Sequence, residues 1–286
     1  MADRRAPMKT VVITGASGNL GGKLRQHWKD RYQLRLLDRS TNGDNEIETA
    51  DVGCWNSSWV DRFVGADAVI HLAADGIGCA DRHRLIRTNI YGTMNVFKAA
   101  VDAGVRRVIF ASSSHVMGMY RFIAEPATIT TDLETYAGGH FVQDGWSYDS
   151  TVYATTKVFG EKLARRYSEE HALEVIVVRI GFIMQGKNAA EDFPARTDEW
   201  LKQLWMSNSD FYALMDRCLQ QEFEPKFAIA HGISRNAGSC WDVESTEKLL
   251  AFEAQDGLVV NPAKVRLRPG YLAKLRWEFR KLIPAM

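Results

Sequence analysis

The sequence predicts an α/β protein: a doubly wound parallel sheet with a small lobe added toward its C-terminal end. Three observations predict it. Short β-branched runs alternate with helical periodicity through the first 180 residues, a glycine-rich turn joins the first run to the first helix, and the alternation loosens after Gly181. Continuous apolar runs read as strands buried on both faces. Strand and helix in alternation with short connections imply parallel strands joined by right-handed crossovers.

Taken in order, "TVVIT" from Thr10 is the first strand, followed by a helix over 19–31. "LRLLD" from Leu34, a helix over 57–64 and "AVIHLA" from Ala68 come next. A helix over 84–103 ends at Gly104, which suits a left-handed cap. "RRVIFAS" from Arg106, a helix over 151–170 and "EVIVVRI" from Glu174 complete the alternating part. Beyond it, a loop with Gly186 and Pro194 leads to helices near 198–206 and 209–221, a short strand "KFAIAHG" and a helix over 243–252. We therefore divide the chain at residue 180, with 181–286 as a small lobe and tail packed on the same domain.

The net charge of +1 gives no electrostatic case for nucleic acid or an anionic membrane as partner. No apolar run approaches the ~20 residues that span a bilayer. The start, MADRRAPMKT, lacks the apolar core of a signal peptide, and the expectation is a cytoplasmic protein. Cys54, Cys79, Cys218 and Cys240 are widely separated and form no C-x-x-C pair, which favours reduced thiols and no metal site. Near the end, Arg266, Arg268, Lys274, Arg276, Arg280 and Lys281 stand against one acid, Glu278. A solvated helix face or a subunit contact explains such a run better than a nucleic-acid patch.

"VVITGASGNLGG" places Gly15, Gly18 and Gly21, with Ser17, Asn19 and Leu20 between them, where the first strand meets the first helix. A dinucleotide site needs a tight turn, close backbone approach to pyrophosphate and close strand–helix contact, and glycine serves all three. The helix N-terminus adds free N–H groups for the phosphates. The spacing is G-x-x-G-x-x-G, and with it the fold class becomes Rossmann-type. Asp38 ends the second strand at the distance expected of a ribose-binding acid, which favours NAD over NADP. Arg39 beside it is either a surface arginine or a phosphate partner. By topology, Asp51 and Val52 meet the adenine.

Tyr153 and Lys157 lie four apart on a helix and share its face, and they follow a strand ending in Ser112, Ser113 and Ser114. A phenol titrates near 10, so working as a base near neutrality needs ~4 kcal/mol of preference for the phenolate. A neighbouring ammonium and the positive nicotinamide ring can supply it. Tyr153 then takes a proton from an alcohol while hydride leaves the same carbon for NAD, and a serine holds the oxygen.

With TGASGNLGG, Asp38, "HLAA" from His71, "TNIYGT" around Asn89, "FASSS" and "YATTK" in this order, the sequence resembles the extended short-chain dehydrogenase/reductases of the NAD-dependent epimerase/dehydratase superfamily. The resemblance covers about two thirds of the chain. It implies Ser113 as the catalytic serine, Tyr153 as acid/base and Lys157 on the nicotinamide ribose. It also implies that Asn89 and the backbone of Leu72, Ala73 and Ala74 support the cofactor. "VIFASSSHVMGMY", "VVRIG", "WMSNSDF" and "FAIAHGISRNAGSCWD" are similar to NAD-dependent uronate dehydrogenases and related aldose dehydrogenases, which oxidise an anomeric hydroxyl to a lactone. By that resemblance Ser114 and His115 meet the sugar and Arg196 its carboxylate. The chain departs from those enzymes at Ser114, where they carry Asn, and at Phe182, where they carry Ser. A further departure is an insertion of roughly fifteen residues within 130–150. That inserted loop, with Tyr136, His140, Phe141, Trp146 and Tyr148, reads as a cover for the pocket or a subunit contact.

The implied activity is NAD-dependent oxidation of a sugar hydroxyl, with residues 1–180 as the NAD-binding part and 181–286 as the substrate lobe. A nucleotide-sugar epimerase and a non-catalytic NAD sensor are the alternatives. The first calls for a larger lobe, and sensors of this kind often lose the tyrosine or lysine, both of which are present. Relatives often assemble through helices that include the one bearing Tyr153, which is compatible with a homo-oligomer.

Overall fold

Along the central strands, neighbouring residues turn to opposite faces and both faces are apolar, the pattern of a sheet covered on two sides. The computed structural model describes residues 8–79, 81–143, 146–193, 197–222, 224 and 226–266. In chain order the elements are β1 (Thr10–Thr14), α1 (Asn19–Trp28), β2 (Gln33–Asp38), β3 (Ile47–Thr49), α2 (Ser57–Val60) and β4 (Ala68–His71). There follow α3 (Arg82–Ile86), a π turn (Arg87–Tyr91), α4 (Gly92–Asp102), β5 (Arg107–Ser113) and a 3-10 segment (Ser114–Phe122). Then come β6 (His140–Gln143), β7 (Trp146–Asp149), α5 (Thr151–Glu170), β8 (Glu174–Ile180), α6 (Glu199–Lys202), α7 (Asn208–Gln220), β9 (Phe227–Gly232) and α8 (Glu244–Leu250).

The large sheet has the order β3-β2-β1-β4-β5-β8-β9, and its pairs are all parallel. Ile13 sits opposite both Leu36 and Ile70, which fixes the register at the centre. Val11, Ile13, Ile70, Ile109 and Ile176 face one core, shared with Leu24 and Trp28 of α1 and Phe211, Leu214 and Met215 of α7. Val12, Val69, Val108, Phe110 and Val175 face the other, shared with Val96, Phe97 and Ala100 of α4 and Ala164 of α5. Each large apolar side chain buried this way contributes about 1.5–3 kcal/mol. The strand order reverses between β1 and β4, so a crevice opens beyond their carboxyl ends.

Three elements differ from the expectations. The helix over 84–103 starts at Arg82 and contains the π turn, which turns the adjacent Thr88 and Asn89 both inward. The strand at 227–232 lies in the large sheet beside β8, and α7 covers one sheet face, so residues after 180 build sheet as well as site surroundings. The insertion contains a two-stranded antiparallel hairpin, β6–β7. Its sequence signal is Asp144-Gly145 between two aromatic-bearing runs, a frequent tight-turn pair. No helix among the described residues is long and apolar enough to cross a membrane.

Candidate active site

β1 delivers the chain into the glycine turn. Gly15 has φ +77°, and a Cβ there would stand 2.6 Å from the Ala73 nitrogen. A Cβ on Gly21 would stand 2.2 Å from the Gly15 carbonyl oxygen. Gly18 caps α1 in extended conformation. The turn is thus closed by backbone on backbone. Its mouth is a cavity of about 220 Å³, lined by Gly15, Ser17 and Gly18 on one side and Leu72, Ala73 and Ala74 on another. Asp38, Arg39, Asp51 and Val52 close the far end, together with Ala50 and Thr88, which the sequence reading missed. The Asp38 carboxylate accepts from the backbone N–H of Ser17 at 3.0 Å and of Ser40 at 3.1 Å, which holds it beside the turn.

The remaining residues expected around the cofactor lie off this cavity. Asn19 donates from its amide to the Ile183 carbonyl at 3.0 Å, tying α1 to the loop after β8. Leu20 packs on the core. Asn89 is buried; its amide donates to the Asp75 carbonyl and to Thr156, and its oxygen accepts from the Asp75 N–H. It therefore fixes the exit of β4 against α5.

β5 and α5 meet closely because residue 160 is glycine: a Cβ there would stand 2.3 Å from the Phe110 ring. That contact brings Tyr153 and Lys157 onto the end of β5. Ser113 stands near enough to the Tyr153 phenol to act on its ionisation. The Ser113 oxygen accepts from the His115 N–H at 3.3 Å. The buried Lys157 ammonium donates to the Ala111 carbonyl at 2.8 Å and lies 5.8 Å from the centre of the Tyr153 ring. Burial raises the Tyr153 phenol above its ordinary value, and the Ser113 contact offsets part of the rise. In the protein alone the phenol is therefore raised rather than lowered, because desolvation outweighs the Ser113 contact. Burial also lowers Lys157 to about 8, with the negative Glu161 working the other way.

Glu161, one turn beyond Lys157, was not foreseen. It is buried, accepts from the Ser112 hydroxyl at 2.5 Å, and pairs with the buried Arg179 at 2.8 Å. The spacing Tyr-x-x-x-Lys-x-x-x-Glu on one helix face was its available signal.

At the substrate side, Ser114 is buried at the start of the 3-10 segment. The His115 ring lies edge-on to Tyr153, 6.2 Å between centres. Burial lowers His115 to about 4, so near neutral pH it presents one donor and one acceptor rather than a charge. His115, Phe122, Ser150, Trp200 and Leu204 line a cavity of about 210 Å³, with Arg121 and Asp198 paired at 2.8 Å in its wall. Phe182 is half-buried, 5.9 Å from the Phe193 ring, and its backbone is bonded to Leu204 and Met206. The Gly138 N–H donates to the His115 carbonyl, so the inserted segment begins against this site, and Tyr136 lies edge-on to Tyr120. Arg196 lies outside the described residues, as does the basic tail beyond Arg266. Arg266 itself donates to the carbonyls of Ile123 and Ala124. Among the described residues no three His, Cys, Asp or Glu side chains are grouped to hold a metal ion.

Residues 11–198 match the model of the NAD dependent epimerase/dehydratase family. An NAD-dependent glucose-6-phosphate dehydrogenase of Haloferax volcanii is 33% identical over 86% of this chain and 93% of its own length. A uronate dehydrogenase of Pseudomonas syringae pv. tomato is 29% identical over 93% of this chain and 88% of its own. The crystal structure of uronate dehydrogenase from Agrobacterium tumefaciens superposes with a TM-score of 0.71 at 24% identity, covering 98% of this chain and 91% of that one, which shows a shared fold.

Proposed function

The chain belongs to the NAD dependent epimerase/dehydratase family, and from that premise we propose that it oxidises the anomeric hydroxyl of an aldose or uronic acid to a lactone. The observation that carries the reading is the meeting of Ser113 and Tyr153 at the carboxyl end of β5, with the Lys157 ammonium buried behind them. Sugar dehydrogenases among the relatives support it.

The residues present fit NAD. The glycine turn packs backbone on backbone at Gly15 and Gly21 and opens onto the cavity at Ser17 and Gly18, where the start of α1 would suit a pyrophosphate, and Asp38 in the same lining would accept from an adenosine 2′-hydroxyl. Asp51 and Val52 would face the adenine, and Leu72, Ala73 and Ala74 line the same cavity on its other side. NAD, when bound, supplies the two-electron acceptor and a positive ring beside the phenol.

Ser113 holds the substrate oxygen, and Tyr153 removes its proton as the carbonyl forms. Because burial alone raises the phenol, the phenolate depends on positive charge nearby. Lys157 provides it while protonated and gives the proton-accepting tyrosine a fixed place. Neutral His115 accepts from or donates to a second sugar hydroxyl, and Ser114 lines the same side. After residue 180, Phe182 and the 198–205 segment serve the substrate side, while β9 and α7 complete the sheet and its cover.

The test is NADH absorbance on adding NAD and a panel of aldoses, uronic acids and sugar phosphates. Steady growth with one class is expected. Tyr153→Phe should lower kcat by at least ~10³-fold while NAD affinity stays within about threefold. Full activity in that variant would remove Tyr153 from the role of base. NAD binding without NADH growth on any sugar would instead point to the epimerase or sensor reading.

A further inference from the structure

Arg39 follows Asp38 at the end of β2, and Asp75 follows β4. β1 lies between those strands, so an ion pair joining the two residues crosses the mouth of the glycine turn. The pair is present: the Arg39 guanidinium donates to both Asp75 oxygens, at 3.3 and 3.4 Å. Asp75 is only 7% exposed and is held from behind by the Thr88 hydroxyl at 2.8 Å and by Asn89, which accepts its N–H at 2.8 Å. Arg84 reaches the same carboxylate at 3.3 Å. Asp51, a further acid of this cavity beside Asp38, pairs with Arg87 at 3.3 Å. One fixed acid thus engages two guanidiniums beside the cavity that Asp38 and Arg39 close.

A 2′-phosphorylated adenosine carries up to two more negative charges than a free 2′-hydroxyl, and its usual partner is a guanidinium. Arg39 is the arginine lining this cavity. To serve a phosphate it must leave Asp75, and a desolvated carboxylate then loses a partner. We infer that Asp75 is a specificity-determining positioning residue, which excludes 2′-phosphorylated dinucleotides by holding Arg39 and Arg84 away from the ribose. Asp38 repels the phosphate directly, and Asp75 withholds the counter-charge. Asp75 acts through Arg39 and does not touch the ribose.

Calorimetric titration of the full chain with NAD and with NADP tests this without turnover. Asp75→Asn should shift the NADP-to-NAD affinity ratio toward NADP about tenfold, through tighter NADP binding. Adding Arg39→Gln to that variant should reverse most of the gain. Arg39→Gln alone should move the ratio by less than about threefold, because the arginine is already engaged. If Asp75→Asn weakens both dinucleotides in proportion, Asp75 only braces Asn89 and the inference is overturned. Should Asp75→Asn fail to fold, Arg39→Gln alone decides: a tenfold loss confined to NADP would show an arginine already serving the phosphate and overturn it. A native chain that binds neither dinucleotide would overturn the dehydrogenase reading as well.

Discussion

At the cofactor end the surfaces that meet are backbone: Gly15 against Ala73, and Gly21 against the Gly15 carbonyl. At the substrate end they are side chains: the His115 edge on Tyr153, Phe182 beside Phe193, and Arg121 on Asp198. A backbone-built site admits few residue types at a few positions and is indifferent to the rest. A side-chain-built site accepts many combinations, each suiting a different ligand. One fold therefore keeps one cofactor while its substrates diverge.

The sharpest way to break this comparison is to add a single methyl at each of two neighbouring positions. Gly21→Ala puts a Cβ against backbone that has nowhere to go, and overpacking of this kind costs about 1–3 kcal/mol. Expressed as NAD affinity, that is a loss of roughly 10- to 100-fold. Gly22→Ala meets nothing within 4 Å. It should leave NAD affinity unchanged and stabilise α1 by up to ~1 kcal/mol. Equal behaviour of the two variants in calorimetry and thermal melts would show that the turn is not closed by backbone contact.

Legibility in the sequence followed the same division. The glycine turn, Asp38 and the strands covered on both faces have local signatures, so β1, β8 and α5 appear in the structure at the residues from which they were read. β3 escaped because only Ile47 of its three residues is buried, which leaves no apolar run. The strand at 227–232 was read correctly as a strand, but its place beside β8 depends on a pairing between residues some fifty apart, which no local pattern encodes. Asp75, Glu161 and Arg179 escaped for a related reason. Their importance lies in partners brought together by the sheet: Arg39 for Asp75, and Ser112 and Arg179 for Glu161.

Acid should strain both ends alike. Burial lowers His71, beneath the cofactor end, to about 3 and His115 to about 4. Unfolded, each titrates near 6.5, so below that pH the unfolded chain takes up protons that the folded chain refuses. The stability these groups confer is complete above pH 6.5 and is lost as pH falls, toward 4 for His115 and toward 3 for His71. Between pH 7 and 5 the loss is about 2 kcal/mol for each histidine. Urea unfolding followed by tryptophan fluorescence should show that His71→Gln and His115→Gln each flatten the pH slope by that amount. A slope unchanged in His115→Gln would mean that its ring takes up protons as readily in the folded site as in the unfolded chain, and His115 would not be neutral by burial.

The smallest effect bears on the substrate end alone. Phe182 is half-buried, hydrogen-bonded through its backbone to Leu204 and Met206 and set beside the Phe193 ring. Phe182→Ser removes the ring contact with Phe193 and adds a hydroxyl in an apolar wall. Stability should fall by about 1–2 kcal/mol, less than for a fully buried phenylalanine. Since the cofactor end is untouched, NAD affinity should not move. The kcat/KM ratio of a uronic acid to the matching neutral aldose should rise severalfold, the scale of one hydrogen bond. If the ratio stays fixed while both rates fall, Phe182 shapes the wall without choosing the substrate. The choice would then rest with the polar groups that line the cavity, His115, Ser150 and the Arg121–Asp198 pair.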